Sequence, residues 1–194
     1  ANNHVFDYMG AGVLDTIDAV AGAGLDWTGA DMNESLAADT TIHGSIGGVP
    51  LALQGFSALR SDGSSQTKYL LVAVDPSKPG ALEARPDNLA DFLEAEAGAS
   101  FAVPMIHGGV EYSRYPADNM RAIFVSLVEQ GAGMVVAHHT HTMQGIGLVD
   151  AGLGPRFVVM SLGNFAFDQS AAKTWQSFIA VADVEWTKVG YDVA

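Results

Sequence analysis

The chain has 194 residues, 48% of them hydrophobic and 16% charged, which is enough apolar content for one sizeable core and fits a single domain. With Lys+Arg 9 against Asp+Glu 22 the formal net charge is -13, a field that repels phosphate backbones and sets nucleic acid aside as a partner. An anionic substrate would need a bound cation to reverse that field locally, and the absence of cysteine restricts the donors to oxygen and imidazole.

The chain opens on a polar cluster, Asn2, Asn3 and His4, which reads as a capping turn. It starts at Ala1 without Met, so it reads as a piece of a longer protein whose anchor or signal would lie upstream. Over residues 12–24 the apolar positions Val13, Leu14, Ile17, Val20 and Ala21 recur at helical spacing and end in a Gly-rich stop. A short apolar stretch at 25–27 and a small helix at 34–38 come after it. Residues 41–46 and 49–54, split by Gly47 and Gly48, read as a hairpin, and Pro50, which has no N–H to donate, argues for an edge position. Residues 60–67 are polar and Gly/Ser-rich, a surface loop before a strand at 69–74.

The second half alternates more regularly. A helix is expected at 88–97, then a continuous apolar strand at 101–106 that His107 terminates. A long helix at 117–130 places Met120, Ile123, Phe124, Leu127 and Val128 on one face and stops at Gly131. A buried strand at 134–137 is followed at once by His138, His139 and His141. The remainder, 146–149, 157–162 and 178–186, reads as strands separated by Gly-rich turns. Apolar strands alternating with helices predict an α/β fold, a sheet covered by helices in a layered sandwich, with a strand-rich, antiparallel C-terminal part.

Four of the six histidines, His107, His138, His139 and His141, therefore come after strands, where ligands of open α/β sheets collect. Neutral imidazole is a common ligand for borderline divalent metals, and the His-x-His at 139 and 141 can direct two rings toward one site. His43 stands alone in a hairpin, and there an ordinary hydrogen-bonding role is the better reading.

Three ordered blocks carry a family resemblance. ANNHVFDYMGAGVLDTIDAVAGAGLDWTGAD at 1–31 resembles a block in which Asn-Asn-His, then Asp three residues later, precedes a helix. HGGVEYSRYP at 107–116 resembles His-x-Gly-x-Glu-Tyr-x-x-x-Pro, with Gly108 in place of a usual Trp. AHHTHTMQGIGLVDAGLGPRFVVMSLGNFAFDQ at 137–169 is similar to a Gly-His-His-Pro-His, Gln-Gly and Ser-Leu-Gly-Asn-Phe-x-Phe-Asp-Gln run, with Ala137 for Gly and Thr140 for Pro. These blocks resemble the CapA/PgsA capsule-synthesis family, which serves poly-γ-glutamate biosynthesis and is a branch of the calcineurin-like metallophosphoesterase fold.

That resemblance implies a layered α/β sandwich of the metallo-dependent phosphatase type, spanning 1–194 as one domain that lacks its N-terminal segment. It implies one or two divalent metal ions, Mn, Fe or Zn, with Asn3, His107, His139 and His141 as ligands and His138 as their neighbour. His4 is implied as general acid or phosphate-binding group with Asp7 orienting it, although Asp comes directly after His in the usual metallophosphatase pattern. Glu111, Asn164 and Asp168 are implied as substrate contacts, or equally as turn and strand-end hydrogen bonders. The chemistry would be metal-assisted hydrolysis of a phosphoester or of an anionic polymer. An aspartate bridging two metals would lie before Ala1. The location would be outside the cytoplasm, membrane-anchored through the upstream segment, with membrane-bound capsule synthase components as partners. Two other readings stay open at this level, a non-catalytic component of a capsule synthesis or export complex and a plain soluble domain with surface histidines.

Overall fold

The computed structural model describes residues 1–59, 77–152, 154–187 and 190–193. Helix α1 (Met9–Gly22) starts three residues before the first apolar periodicity, because turns through residues 3–8 already coil the chain into it. Its C-terminal end is closed by Gly24 at φ 69°, with Leu25 N–H donating to the Val20 carbonyl at 3.1 Å, a reversal that needs a residue at ease with positive φ. Strand β1 (Ala30–Asp31) leads to α2 (Glu34–Ala38), whose start is fixed by Asn33 Oδ1 accepting from Leu36 N–H at 3.0 Å. Then β2 (Ile42–Ile46) and β3 (Val49–Ser57) form the expected hairpin around Gly47 at φ 59° and Gly48 at φ 86°.

Strand β4 (Gly80–Ala81) pairs antiparallel with β1, and α3 (Pro86–Glu96) comes next with Pro at its first turn, where no N–H is needed. The chain continues through β5 (Phe101–His107), α4 (Asp118–Glu129) and β6 (Met134–His138), then β7 (Met143–Asp150) and β8 (Pro155–Leu162). A single 3₁₀ turn at Ala172–Thr174 and a hairpin of β9 (Val184–Thr187) and β10 (Gly190–Val193) complete the described elements. Among them no helix is long and apolar enough to cross a membrane.

The main sheet has six strands in the order β2-β3-β5-β6-β8-β7. Its four central strands are parallel, and antiparallel strands close both sides. This is the mixed α/β sandwich that the alternation of strands and helices predicts. Phe56, Ile106, Val135, Ala137 and Val158 of the sheet pack with Leu89, Phe92 and Leu93 of α3 and Met120, Phe124, Leu127 and Val128 of α4 in one buried cluster. Phe56 and Phe92 meet edge to face at 5.9 Å. Each large side chain buried there contributes about 1.5–3 kcal/mol relative to exposure.

Two expectations are corrected by the topology. Pro50 lies in β3, which is an interior strand; its missing N–H is harmless because the ladder to β5 begins only at Leu51↔Phe101. Residues 178–183 are not a strand, for β8 is already paired with β6 and β7, and the segment follows an isolated bridge at Gly163↔Ser177 and a bond from Phe178 N–H to the Leu162 carbonyl at 3.2 Å. Residues 25–27 take up no regular structure. The loop expected at 60–67 and the strand expected at 69–74 lie outside the described residues.

The parallel register positions the histidines. Ser57, His107 and His138 are successive partners across β3, β5 and β6, all at the carboxyl ends of their strands. Ile106 points into the core under α3 and α4, so its neighbour His107 projects from the opposite face.

Candidate metal and catalytic site

His107 is the hub. It is buried, and its Nε2 lies 2.7 Å from Oδ1 of buried Asn3, 104 positions away in sequence, while its Nδ1 lies 2.7 Å from His138 Nδ1. An amide oxygen only accepts, so His107 Nε2–H is the donor to Asn3. Neutral His107 then has a bare Nδ1, which accepts from His138 Nδ1–H, and His138 keeps the proton-free Nε2.

Asn3 reaches this position because the first residues lie against β3. The Ala1 amino group donates to the Thr28 carbonyl at 2.8 Å, and glycines at 29 and 55 leave room. A Cβ on Gly29 would come within 1.9 Å of the Gly55 carbonyl oxygen. Asn2 takes the plain capping role, its Oδ1 accepting from His4 N–H at 2.8 Å.

The other rings surround this hub. The His107 ring centroid lies 4.6 Å from that of His138 and 4.8 Å from that of His139, and His139 and His141 are 6.1 Å apart. His139 Nδ1 is buried without any hydrogen-bond partner. His141 Nδ1–H donates to Asn164 Oδ1 at 2.8 Å, which fixes the tautomer and leaves Nε2 with a free lone pair. His4 Nδ1–H donates to Asp7 Oδ2 at 2.8 Å, so Asp7, three positions on rather than next in sequence, sets the direction of the exposed His4 ring.

Strain is concentrated in the same place. Among the described residues the non-glycines with positive φ are Met9, Tyr112 at 62°, His139 at 108° and His141 at 59°, so three of the four line this site. The strained loops are tied together by Tyr112 N–H donating to the Thr140 carbonyl at 2.8 Å and Gly108 N–H donating to that of His138 at 3.0 Å. Thr140, standing where the resemblance has Pro, is buried and hydrogen-bonds Ser161 Oγ at 3.0 Å and the Thr142 carbonyl at 2.9 Å. At Gly108 a Cβ would come 2.8 Å from Ala58 Cβ, so an indole there would have to displace its neighbours.

Burial sets the charge state. It pushes His107 down to about 2, with added repulsion from His138, His139, the amino terminus and His141. Burial, then the amino terminus and His139, brings His138 down to about 4. His139 is also lowered by burial, partly offset by Glu111, with His141 and His4 acting in the same direction as burial. These rings are therefore neutral near pH 7, the form in which imidazole binds metal.

The fold thus gathers Asn3, His107, His138, His139 and His141, and brings His4 and Glu111 close enough to act on His139. Asn164 supports His141 from behind. Asp168 is exposed and has no partner among the described residues, and His43 sits apart on β2, 2.8 Å from Glu96. The donor types, neutral imidazoles with a carboxamide oxygen, and the orphaned Nδ1 of His139 suit a borderline divalent cation. Their spacing is not yet that of a metal site, since among the described residues no three His, Cys, Asp or Glu side chains are placed to hold one ion together. Two participants escaped sequence reasoning. Ser57 Oγ, beside His107 in register, is buried without a partner, and Tyr112 stacks on His141 at 5.9 Å while its hydroxyl accepts from Gln169 Nε2 at 3.2 Å. Tyr112 stood in a recognisable sequence block; nothing local marks Ser57.

A family model described as bacterial capsule synthesis protein PGA_cap matches residues 1–169. The chain is 32% identical over 182 residues to the capsule biosynthesis protein CapA of Bacillus anthracis, covering 91% of this chain and 41% of that protein. It is 32% identical over 178 residues to the PGA biosynthesis protein CapA of Bacillus subtilis (strain 168), covering 91% of this chain and 44% of that protein. The chain thus spans less than half the length of these relatives.

Proposed function

The chain belongs to the bacterial capsule synthesis protein PGA_cap family, and from that premise we propose that it serves poly-γ-glutamate capsule biosynthesis through a metal-dependent hydrolytic site of the phosphoesterase type. The observation that carries the reading is the convergence of Asn3, His107, His139 and His141 from three distant segments on one strand-end position, with His139 Nδ1 buried and unpartnered. One or two divalent ions, Mn, Fe or Zn, would be held by those four side chains. Such an ion supplies Lewis acidity and lowers the pKa of a bound water.

The chain's own groups do the rest. Neutral His139 offers a lone pair without a proton to displace, His107 would bind by giving up the hydrogen bond that its Nδ1 accepts from His138, and Asn164 keeps His141 Nε2 directed away from its own hydrogen bond. His4 in its imidazolium form, aimed by the Nδ1–H bond to Asp7, can deliver its second proton from Nε2 to a leaving oxygen and return to neutral imidazole, and its exposure leaves that nitrogen open to substrate. Glu111 adds negative charge beside His139, favouring a cation there. The setting would be extracytoplasmic and membrane-associated, with capsule synthase components as partners.

Metal content and turnover of a generic phosphodiester by the intact protein test this. His139→Ala is expected to lose both metal and turnover; His4→Ala should keep metal and lose turnover by roughly 10²–10⁴-fold. Full activity in both variants rejects the assignment. A second reading, a non-catalytic component of the polymer synthesis or export complex, is favoured by one observation, the lack among the described residues of three ligands in metal spacing. It predicts no metal uptake and no turnover in any variant.

A further inference from the structure

Next to the imidazole cluster lies a cavity of about 410 Å³, lined by Tyr112, Arg114, Tyr115, Thr142, Lys173 and Gln176 among others. Its composition is opposite to that of the molecule. The chain has only nine Lys and Arg against 22 Asp and Glu, yet two of the nine meet here and, among the described residues, no carboxylate lines the wall. Among the described residues neither cation has an acidic partner. Arg114 makes no hydrogen bond with them, and the Lys173 ammonium rests 4.8 Å from the centroid of the Tyr112 ring. Surface cations in so acidic a protein would ordinarily be drawn into ion pairs, so two left uncompensated in one concavity keep their charge available for a ligand.

The wall is built and shared with the site. Tyr112 belongs to both, meeting the Lys173 ammonium in the cavity wall and stacking on His141 of the cluster at 5.9 Å and 26°. It is held by Gln169, whose backbone carbonyl in turn accepts from Trp175 Nε1–H at 2.7 Å. Thr142 Oγ1–H donates to the Ser113 carbonyl at 2.7 Å and Gln144 Nε2 to the same oxygen at 3.0 Å, tying the Arg114 loop to the segment that carries the histidines.

We propose that Tyr112, Arg114, Tyr115 and Lys173 form a subsite for an oxyanion carried by the substrate, beside the bond presented to the imidazole cluster. An Arg fork and a Lys point charge match the oxygens of a carboxylate or phosphate, and the two tyrosines offer flat faces to the unit that bears it. The subsite selects an anionic chain over a neutral one and fixes which bond reaches His4. The assignment of the occupant as substrate rests on the hydrolytic reading above; the binding itself does not.

The test is calorimetric titration of the intact protein, wild type, Arg114→Gln, Lys173→Gln and the double variant, with a γ-linked glutamate oligomer, phenyl phosphate and a neutral oligosaccharide of similar size. An anionic probe should bind and the neutral one should not, each single variant should weaken binding about five- to tenfold, and the double variant should weaken it further, with metal content unchanged. Raising salt from low to about 0.5 M should weaken wild-type binding and leave the double variant nearly unaffected. A stronger response to the oligomer marks the oxyanion as carboxylate, and a stronger response to phenyl phosphate marks it as phosphoester. Equal binding of the neutral probe, or a double variant that binds anion as wild type does, overturns the proposal. His139→Ala separates the two readings, since it should abolish turnover yet keep oligomer binding within about threefold. Loss of binding in His139→Ala with retention in the double variant would place the anion at the imidazoles and sink the subsite alone.

Discussion

His139 offers the sharpest test, because its backbone and its side chain are both at a disadvantage in the fold. A φ of 108° lies beyond the small left-handed region open to ordinary residues and costs about 1–3 kcal/mol. A buried ring nitrogen without a partner costs a similar ~1–3 kcal/mol. Replacing His139 with Ala removes the orphaned nitrogen but keeps the strain, and loses about 2 kcal/mol of ring packing beside His107. Replacing it with Gly removes the strain as well, against an unfolded-state entropy penalty of about 0.5–1 kcal/mol. His139→Gly should therefore be more stable than His139→Ala by about 1 kcal/mol, a reversal of the usual order. For a chain of 194 residues that is a Tm difference of about 2–4 °C. Thermal and urea unfolding of chelator-treated protein would measure it, and His139→Ala should lie close to wild type because its losses and gains nearly cancel. Addition of metal at about a hundred times its Kd should then raise wild-type stability by about 2.7 kcal/mol and leave both variants unmoved. An alanine variant as stable as the glycine one would refute the strain; equal metal stabilisation of all three would refute the role of the ring.

Two other outcomes are expected from the hydrogen bonds and charge states around the cluster. Asn164→Ala leaves His141 Nδ1–H without its acceptor, so metal affinity in competition titrations should fall roughly 10–100-fold, while Asn164→Asp, which still accepts, should retain most of it. Acid should unfold the metal-free protein early. The folded pKa of His138 is about 4 against 6.5 unfolded, so between these values the unfolded state binds more protons and stability falls as pH drops from about 6.5 toward 4, by on the order of 3 kcal/mol for this residue. His107 acts in the same direction. Urea midpoints at about pH 7.5, 5.5 and 4.5 would check it, and a stability flat down to about pH 4.5 would contradict the burial of these rings.

The elements that could be read from sequence are those whose signals are local. Asn33 announces α2, Gly131 ends α4 and Gly47-Gly48 turns the hairpin, since each acts on residues within one turn of itself. What failed depended on partners elsewhere. The extended-looking residues 178–183 carry strand composition, but a strand exists only where an edge is free, and β7 had already taken the last side of β8. Pro50 argued for an edge by a sound rule, and only the starting register of β5 made it tolerable inside the sheet. The alternation of apolar strands and helices was enough to give the α/β sandwich, while the order of strands within it was not legible.

The site divides along the same line between local and distant causes. A histidine at the end of an apolar run is visible locally, as at His107 and His138, because strand ends are where the chain leaves the core. That the two share one hydrogen bond results from a register that pairs β5 with β6 at these very residues, and a slip of one position would turn one ring into the helical core. Asn3 is more remote still. Its carboxamide reaches His107 because two glycines, 29 and 55, allow backbone to pass against backbone, and neither glycine lies near the clustered histidines in sequence. Only the arrangement of all these segments decides whether imidazole lone pairs meet at one point, and the same arrangement brings Arg114 and Lys173 to one cavity with Tyr112. The geometry of this cluster is therefore specified less by the histidine motif than by the parallel register and the glycine contacts that bring the motif to its partners.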